Sequence, residues 1–91
     1  MEFKEGKNCL YLGPDQDHAK AIIQYEDCGQ GQVNITHTIV DSSLRGQGMA
    51  GKLLEALVEK AREDGFKLRA TCSYAKEKLD KTQDYQDIYL G

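Results

Sequence analysis

The 91-residue sequence has no long apolar run and no excess of basic charge. No stretch approaches the roughly 20 apolar residues that a transmembrane helix needs. The acidic start Met-Glu-Phe-Lys-Glu is unlike a signal peptide, so we expect a cytoplasmic protein that does not enter a membrane. The formal net charge of −3 argues against nucleic acid as the main partner, because phosphate backbones bind basic surfaces.

Paired cysteine motifs are also missing. The chain has three cysteines, Cys9, Cys28 and Cys72, which is an odd number with no C-x-x-C spacing. That pattern favours free thiols in a reducing cytoplasm over a disulfide framework or a zinc site. We therefore predict no bound metal.

What the chain does contain is the composition of one small folded domain, which we expect to span residues 1–91. Apolar residues make up 40% and charged residues 30%, which is typical of a globular chain with one core. Alternation predicts strands at 9–12, 19–26 and 33–40, with a hairpin connection at 27–31. In the last of these strands, simple alternation places four residues on one face: Val33, Ile35, His37 and Ile39.

The second half of the chain has helical periodicity. Apolar residues from 49 to 61 recur at helical spacing, and Gly65 is placed to end that helix. Residues 66–72 predict a strand parallel to the one before the helix, and 74–81 a short polar helix. The fold class is therefore α+β, an antiparallel meander of about three strands followed by a β-α-β unit. The segment from 84 to 90 is ambiguous.

A glycine-rich segment joins the strand to the helix and carries the functional signal. Gly46, Gly48 and Gly51 lie where backbone N–H groups at a helix start can bind an anion. A nucleotide-binding P-loop would need a Ser or Thr where Leu53 stands. A dinucleotide fingerprint would need an acidic residue after the strand that follows the helix, and a glycine directly after the strand that precedes it. This sequence has neither.

The third pattern, Arg45-x-x-Gly48-x-Ala50, resembles the pyrophosphate-binding loop of the acyl-CoA N-acyltransferase (GNAT) superfamily. His37-Thr38-x-Val40 before the loop and Cys72-Ser73-Tyr74 after the next strand extend the likeness. Together they resemble a minimal branch of the superfamily, the YjdJ-type domains, over roughly residues 3–90. The resemblance implies a truncated N-acyltransferase fold, in which the two parallel strands splay apart.

The resemblance also implies acetyl-CoA as the acyl donor and assigns roles to single residues. Cys72 becomes the candidate nucleophile. By the general chemistry of thiol enzymes, His37 is a candidate base or a group that lowers the pKa of the thiol. Tyr74 becomes a candidate acid for the departing thiolate. The residues implied in coenzyme A binding are Thr38, Ile39, Val40, Arg45, Gly46, Gln47, Gly48, Met49, Ala50 and Tyr74.

Two features of larger N-acyltransferases are missing from the sequence. There is no room for the helices that shape an acceptor pocket, and the usual asparagine-and-tyrosine arrangement is not found. We expect an acetyltransferase, a monomer or weak dimer, that acts on an unidentified amine or protein through an acetyl-Cys72 intermediate. The alternative is a non-catalytic coenzyme A-binding or protein-interaction module, in which Cys72 is a small buried residue and His37 a core residue.

Overall fold

The computed structural model describes residues 3–91 as a five-stranded sheet with both helices packed on one face. The strands lie side by side in chain order. Strands β1 to β4 pair antiparallel, and β4 pairs with β5 in parallel. The elements are β1 (Lys4–Gly6), β2 (Cys9–Leu12), β3 (Ala21–Gly29), β4 (Gln32–Val40), α1 (Met49–Asp64), β5 (Lys67–Ala70) and α2 (Ser73–Lys81), with 3-10 turns at Gln16–His18, Ser42–Leu44 and Gln83–Tyr85. The predicted α+β architecture is confirmed.

The hairpin between β3 and β4 is tighter than predicted. Gly29 pairs with Gln32, so the loop has only two residues, Gln30 and Gly31. Both have positive φ, 57° and 71°, the backbone conformation of the two-residue turns that best match strand twist. Most of the predicted connection at 27–31 is therefore strand.

A β-bulge in β4 changes which side chains face the helices. Gln24 of β3 pairs with His37, while the next residue, Tyr25, pairs with Ile35. Thr36 is left without a partner, and its hydroxyl donates to the Gln24 carbonyl at 3.3 Å. One extra residue in a strand shifts the alternation beyond it to the other face.

The predicted face of β4 is therefore wrong beyond the bulge. Thr38 pairs with the fully buried Ile23 and so shares the helix-facing side of the sheet. His37 points to the opposite, outer face and is exposed, and Ile39 is 55% exposed. Alternation without the bulge had placed both with the core residue Ile35.

The core lies between the sheet and the two helices. Helix α1 is preceded by Gly48 and followed by Gly65, which ends it as predicted. One apolar stripe of α1 is buried, and it packs on inward-facing residues of β2 to β5 and on α2. The stripe consists of Met49, Leu53, Leu54, Leu57, Val58 and Ala61, and α2 adds Ala75 and Leu79.

Truncating the middle of this stripe is expected to destabilise the domain strongly. Leu57 is fully buried, so Leu57→Ala should cost about 2–5 kcal/mol of unfolding free energy, a large share of the roughly 5–15 kcal/mol of a small domain. Urea unfolding measures the loss. Leu57→Met keeps the volume and should cost less than about 1.5 kcal/mol. Equal losses in the two variants would contradict this packing.

The last residues of the chain cover the outer edge of β5. The Leu68 N–H donates to the Ile88 carbonyl at 2.7 Å, and the Leu90 N–H donates to the Leu68 carbonyl at 2.9 Å. Arg62 of α1 holds this segment through two hydrogen bonds to the Asp87 carboxylate, at 2.9 and 3.1 Å. The segment that the sequence left ambiguous thus acts as a short parallel extension of the sheet.

Candidate functional site

The two parallel strands separate halfway along β4. Their pairing runs from Gln32 and Lys67 to Ile35 and Ala70, where β5 ends. Strand β4 continues for five more residues, 36–40, and no described strand pairs with their β5-facing edge. This opening, which we call the splay, confirms the expected pair of splayed strands.

Cys72 lies at the base of the splay. The Thr71 and Cys72 N–H groups both donate to the Ile35 carbonyl, at 3.0 Å each. The half-buried Cys72 Sγ then lies 3.6 Å from the Thr38 hydroxyl, across the splay. Cys72 is also the residue that precedes α2, at the helix end where the dipole stabilises negative charge.

His37 forms no hydrogen bond with Cys72. The hydrogen bonds of residues 3–91 include none between the two side chains, and the oxygen next to the thiol belongs to Thr38. The bulge at Thr36 places His37 on the outer face of the sheet. Its imidazole is therefore available from the side that neither helix covers.

The loop after β4 is stabilised by its own first residues. The Asp41 carboxylate accepts hydrogen bonds from the Ser43 N–H, at 3.0 Å, and from the Ser43 hydroxyl. These bonds hold the pKa of Asp41 below its ordinary value. The Arg45 N–H donates to the Ser42 carbonyl at 3.3 Å and completes a 3-10 turn. This turn brings the chain from the splay to the start of α1.

The start of α1 presents unpaired backbone donors. The first helical hydrogen bond runs from the Lys52 N–H to the Gly48 carbonyl, at 3.1 Å. No N–H group from 46 to 51 donates a hydrogen bond to any other described residue. Gly48, in the left-handed conformation at φ 68°, has no side chain to cap the helix. These donors at the positive end of a 16-residue helix are suited to a phosphate.

Positive charge and open space surround this helix end. Arg45 and Lys52 are exposed, and neither forms an ion pair within the described part of the chain. A Cβ added to Gly48 would meet no atom within 4 Å. The residues therefore fit a diphosphate, which needs convergent N–H donors, nearby cations and room.

Tyr74 links α2 to this loop. Its hydroxyl would lie 3.6 Å from a Cβ added to Gly51, so the half-buried phenol reaches the first turn of α1. Burial raises the pKa of Tyr74, and the neighbouring Tyr85 and Cys72 raise it further. The phenol is therefore protonated at neutral pH and able to donate.

The structure thus brings most predicted site residues to one end of the sheet. Thr38 and Cys72 contact each other, the loop 45–50 follows the splay, and Tyr74 touches the first turn of the helix. The side chain of Ile39 lies on the outer face of the sheet, and Ile39 pairs with Ile22 of β3. Sequence reasoning missed Asn34, although a single amide in a run of β-branched residues was a visible signal.

The described residues form neither a metal cluster nor a membrane-spanning helix. Within residues 3–91, no group of three or more His, Cys, Asp or Glu side chains is placed to hold a metal ion. No helix among the described residues has the length and apolarity required to cross a membrane. Cys9 is fully buried, and burial raises the pKa of its thiol, whereas Cys28 is exposed.

Comparison with known proteins gives consistent matches. Residues 10–88 match the family model of GCN5-related N-acetyl-transferases. The solution structure of a GCN5-like N-acetyltransferase candidate from Staphylococcus aureus is 48% identical, with a TM-score of 0.83, over 99% of this chain and 88% of that one. A GNAT-family acetyltransferase candidate from Desulfovibrio desulfuricans, 18% identical with a TM-score of 0.55 over 68% of this chain and 41% of that one, shares the fold.

Curated relatives are more distant and longer. Protein NATD1 of Xenopus tropicalis is 35% identical over 57 residues, which is 63% of this chain and 52% of that protein. Human Protein NATD1 gives the same identity, with 50% of its length matched. The chain spans about half the length of the curated relatives it matches.

Proposed function

Because the chain belongs to the GCN5-related N-acetyltransferase family, we propose that it binds acetyl-CoA along the splay and transfers the acetyl group to an amine. One observation carries the proposal. The unpaired edge at 36–40 leads, through the 3-10 turn at Ser42–Leu44, to the N–H groups of residues 46–51, which have no partner among the described residues. Acetyl-CoA is an extended donor with a diphosphate at one end and amide groups along its arm. It therefore matches the order of unpaired groups along the edge and the helix start.

We assign the two ends of the donor to different elements. The diphosphate lies on the N–H groups of residues 46–50, with Arg45 and Lys52 supplying charge. The pantetheine arm runs along Thr38, Ile39 and Val40 and pairs with those of their backbone groups that face the splay, as an added strand pairs with an open sheet edge. This places the thioester near the base of the splay, where Cys72 lies.

The first chemical step is proposed to occur at Cys72. Its thiolate attacks the thioester carbonyl carbon, a bond from Sγ to carbon forms, and the bond from carbon to the coenzyme sulfur breaks. The departing coenzyme A thiolate takes a proton from Tyr74. The support for this assignment is the position of Sγ at 3.6 Å from Thr38, facing the edge assigned to the donor.

The second step moves the acetyl group to the acceptor. The amine attacks the acetyl group on Cys72, the new carbon–nitrogen bond forms, and the Cys72 thiolate is released. His37 on the outer face accepts the proton that the amine loses, because an imidazole is an effective base at neutral pH. Exchange with solvent removes that proton and restores the one on Tyr74. Because His37 forms no hydrogen bond with Cys72, it is better suited to act as a base from the outer face.

A non-catalytic coenzyme A-binding or protein-interaction module is the second candidate. The connections from β1 to β4 contain only the 3-10 turn Gln16–His18 in the described residues. No helix there encloses an acceptor, which favours a module that binds coenzyme A without turnover.

Titration followed by a turnover screen tests the proposal. We expect acetyl-CoA to bind with one-to-one stoichiometry by calorimetry, and at least one primary amine or lysine-containing peptide to release free coenzyme A thiol. Binding without turnover across the panel would favour the module. No binding of acetyl-CoA or coenzyme A would contradict both the transferase and the coenzyme A-binding module, and would leave the protein-interaction module.

A further inference from the structure

Asn34 is the one buried polar residue among those described, with 9% of its surface exposed. It stands in β4 between Val33 and Ile35, where asparagine is a poor strand former. A buried amide is costly unless its polar atoms are bonded. The Asn34 Nδ2 donates to the Thr71 hydroxyl at 3.2 Å and to the Glu26 carboxylate at 3.4 Å.

The bond to Thr71 connects Asn34 to the turn that carries Cys72. That turn is already attached to β4 by the two N–H groups that share the Ile35 carbonyl. The Asn34 amide adds a side-chain bond from the adjacent residue of the same strand. The bonds to the Ile35 carbonyl restrain the backbone of the turn, and the Asn34 bond adds a restraint on the Thr71 side chain.

We propose that Asn34 is a positioning residue, which orients Cys72 toward the splay by holding Thr71. The proposal rests on the assignment of Cys72 as the nucleophile. Reacting atoms must approach within about 3–3.5 Å, and a displacement of about 1 Å can reduce the rate about 100-fold. Asn34 contacts neither donor nor acceptor, so its contribution is the geometry of the Thr71–Cys72 turn.

The chain offers a matched control for this role. Gln32 lies two residues earlier in β4, and its side-chain oxygen accepts from the Arg69 Nε at 2.9 Å. It therefore also joins β4 to β5 by a side-chain hydrogen bond, but away from the Cys72 turn. If Asn34→Val only loosened the pairing of β4 with β5, its activity should resemble that of Gln32→Val.

The test compares Asn34→Val, Thr71→Val, Thr71→Ser and Gln32→Val in a Cys28→Ser background, in which Cys72 is the accessible thiol. We expect Asn34→Val and Thr71→Val to lower kcat about 10- to 100-fold, with KM for acetyl-CoA nearly unchanged. The thermal midpoint of Asn34→Val should not fall, since valine is the better strand former. Thr71→Ser, which keeps the hydroxyl, should restore most of the activity.

A second readout does not depend on acetyl transfer. The rate of Cys72 alkylation by iodoacetamide, measured across pH, should change in Asn34→Val and Thr71→Val and stay near wild type in Thr71→Ser and Gln32→Val. If the wild type shows no turnover, the proposed function fails and this profile alone decides the role of Asn34. An unchanged alkylation profile, or equal losses of kcat in Asn34→Val and Gln32→Val, would overturn the proposal.

The double variant Asn34→Val/Thr71→Val adds a coupling measurement. The effects of two residues that act through one hydrogen bond are not additive. The double variant should therefore lose no more kcat than either single variant. A loss equal to the product of the two single effects would show that the residues act separately and would overturn the proposal.

Discussion

Replacing Cys72 by alanine is expected to lower turnover about 1000-fold or more, while acetyl-CoA affinity stays within about threefold. The proposed route needs the thiolate in both steps, so removing it removes the intermediate. The side chain is half-buried and contacts the Thr38 hydroxyl. The alanine variant should therefore fold and still bind the donor at the loop.

Intact-mass measurement after rapid quenching tests this result directly. The wild type should gain the mass of one acetyl group on incubation with acetyl-CoA, and Cys72→Ala should gain none. Cys28→Ser is the matched control, because Cys28 is exposed and distant from the splay. It should acetylate and turn over like the wild type. Turnover that survives in Cys72→Ala would exclude the covalent route and favour direct attack by the amine on the donor.

Replacing Gly48 by glutamate is expected to raise the dissociation constant for acetyl-CoA about 100-fold or more, close to 3 kcal/mol. Two effects act at this position, the first on stability and the second on affinity. The backbone at φ 68° is left-handed, which costs an L side chain about 1–2 kcal/mol. The new carboxylate also repels the diphosphate that we assign to the same N–H groups.

Gly65 provides the control for backbone strain. It ends the same helix at φ 81°, and a Cβ there would also meet no atom within 4 Å. Gly65→Glu should therefore lose about as much stability by urea unfolding as Gly48→Glu, yet bind acetyl-CoA like the wild type. Calorimetric titration of both variants separates the effects. Equal affinities would contradict a diphosphate site at the start of α1.

The sequence predicted those features of the fold that depend on neighbours along the chain. The apolar stripe and Gly65 defined α1 because helical spacing and a left-handed stop are local properties. The loop with Arg45 and Gly48 was predicted as a candidate anion-binding loop because its pattern is also local. Strand β1, with three residues that read Lys-Glu-Gly, was missed because it has no periodicity and forms only by pairing with β2.

The position of His37 shows why the site could not be completed from sequence. Its face depends on the bulge at Thr36, and a bulge is set by the register between two strands rather than by the residues of one. The contact between Cys72 and Thr38 joins residues 34 positions apart. No spacing rule predicts that distance, and only the family resemblance suggested it. Asn34 was visible as an oddity, but its partner Thr71 was not.

The attachment of residues 88–90 to β5 has a practical consequence for handling the protein. These residues cover part of the outer edge of β5 and bond both backbone groups of Leu68. Unshielded strand edges template pairing between molecules. A shortened version that stops before residue 88 would expose Leu68 and its backbone to other copies. Loss of residues 88–90 is therefore expected to promote aggregation.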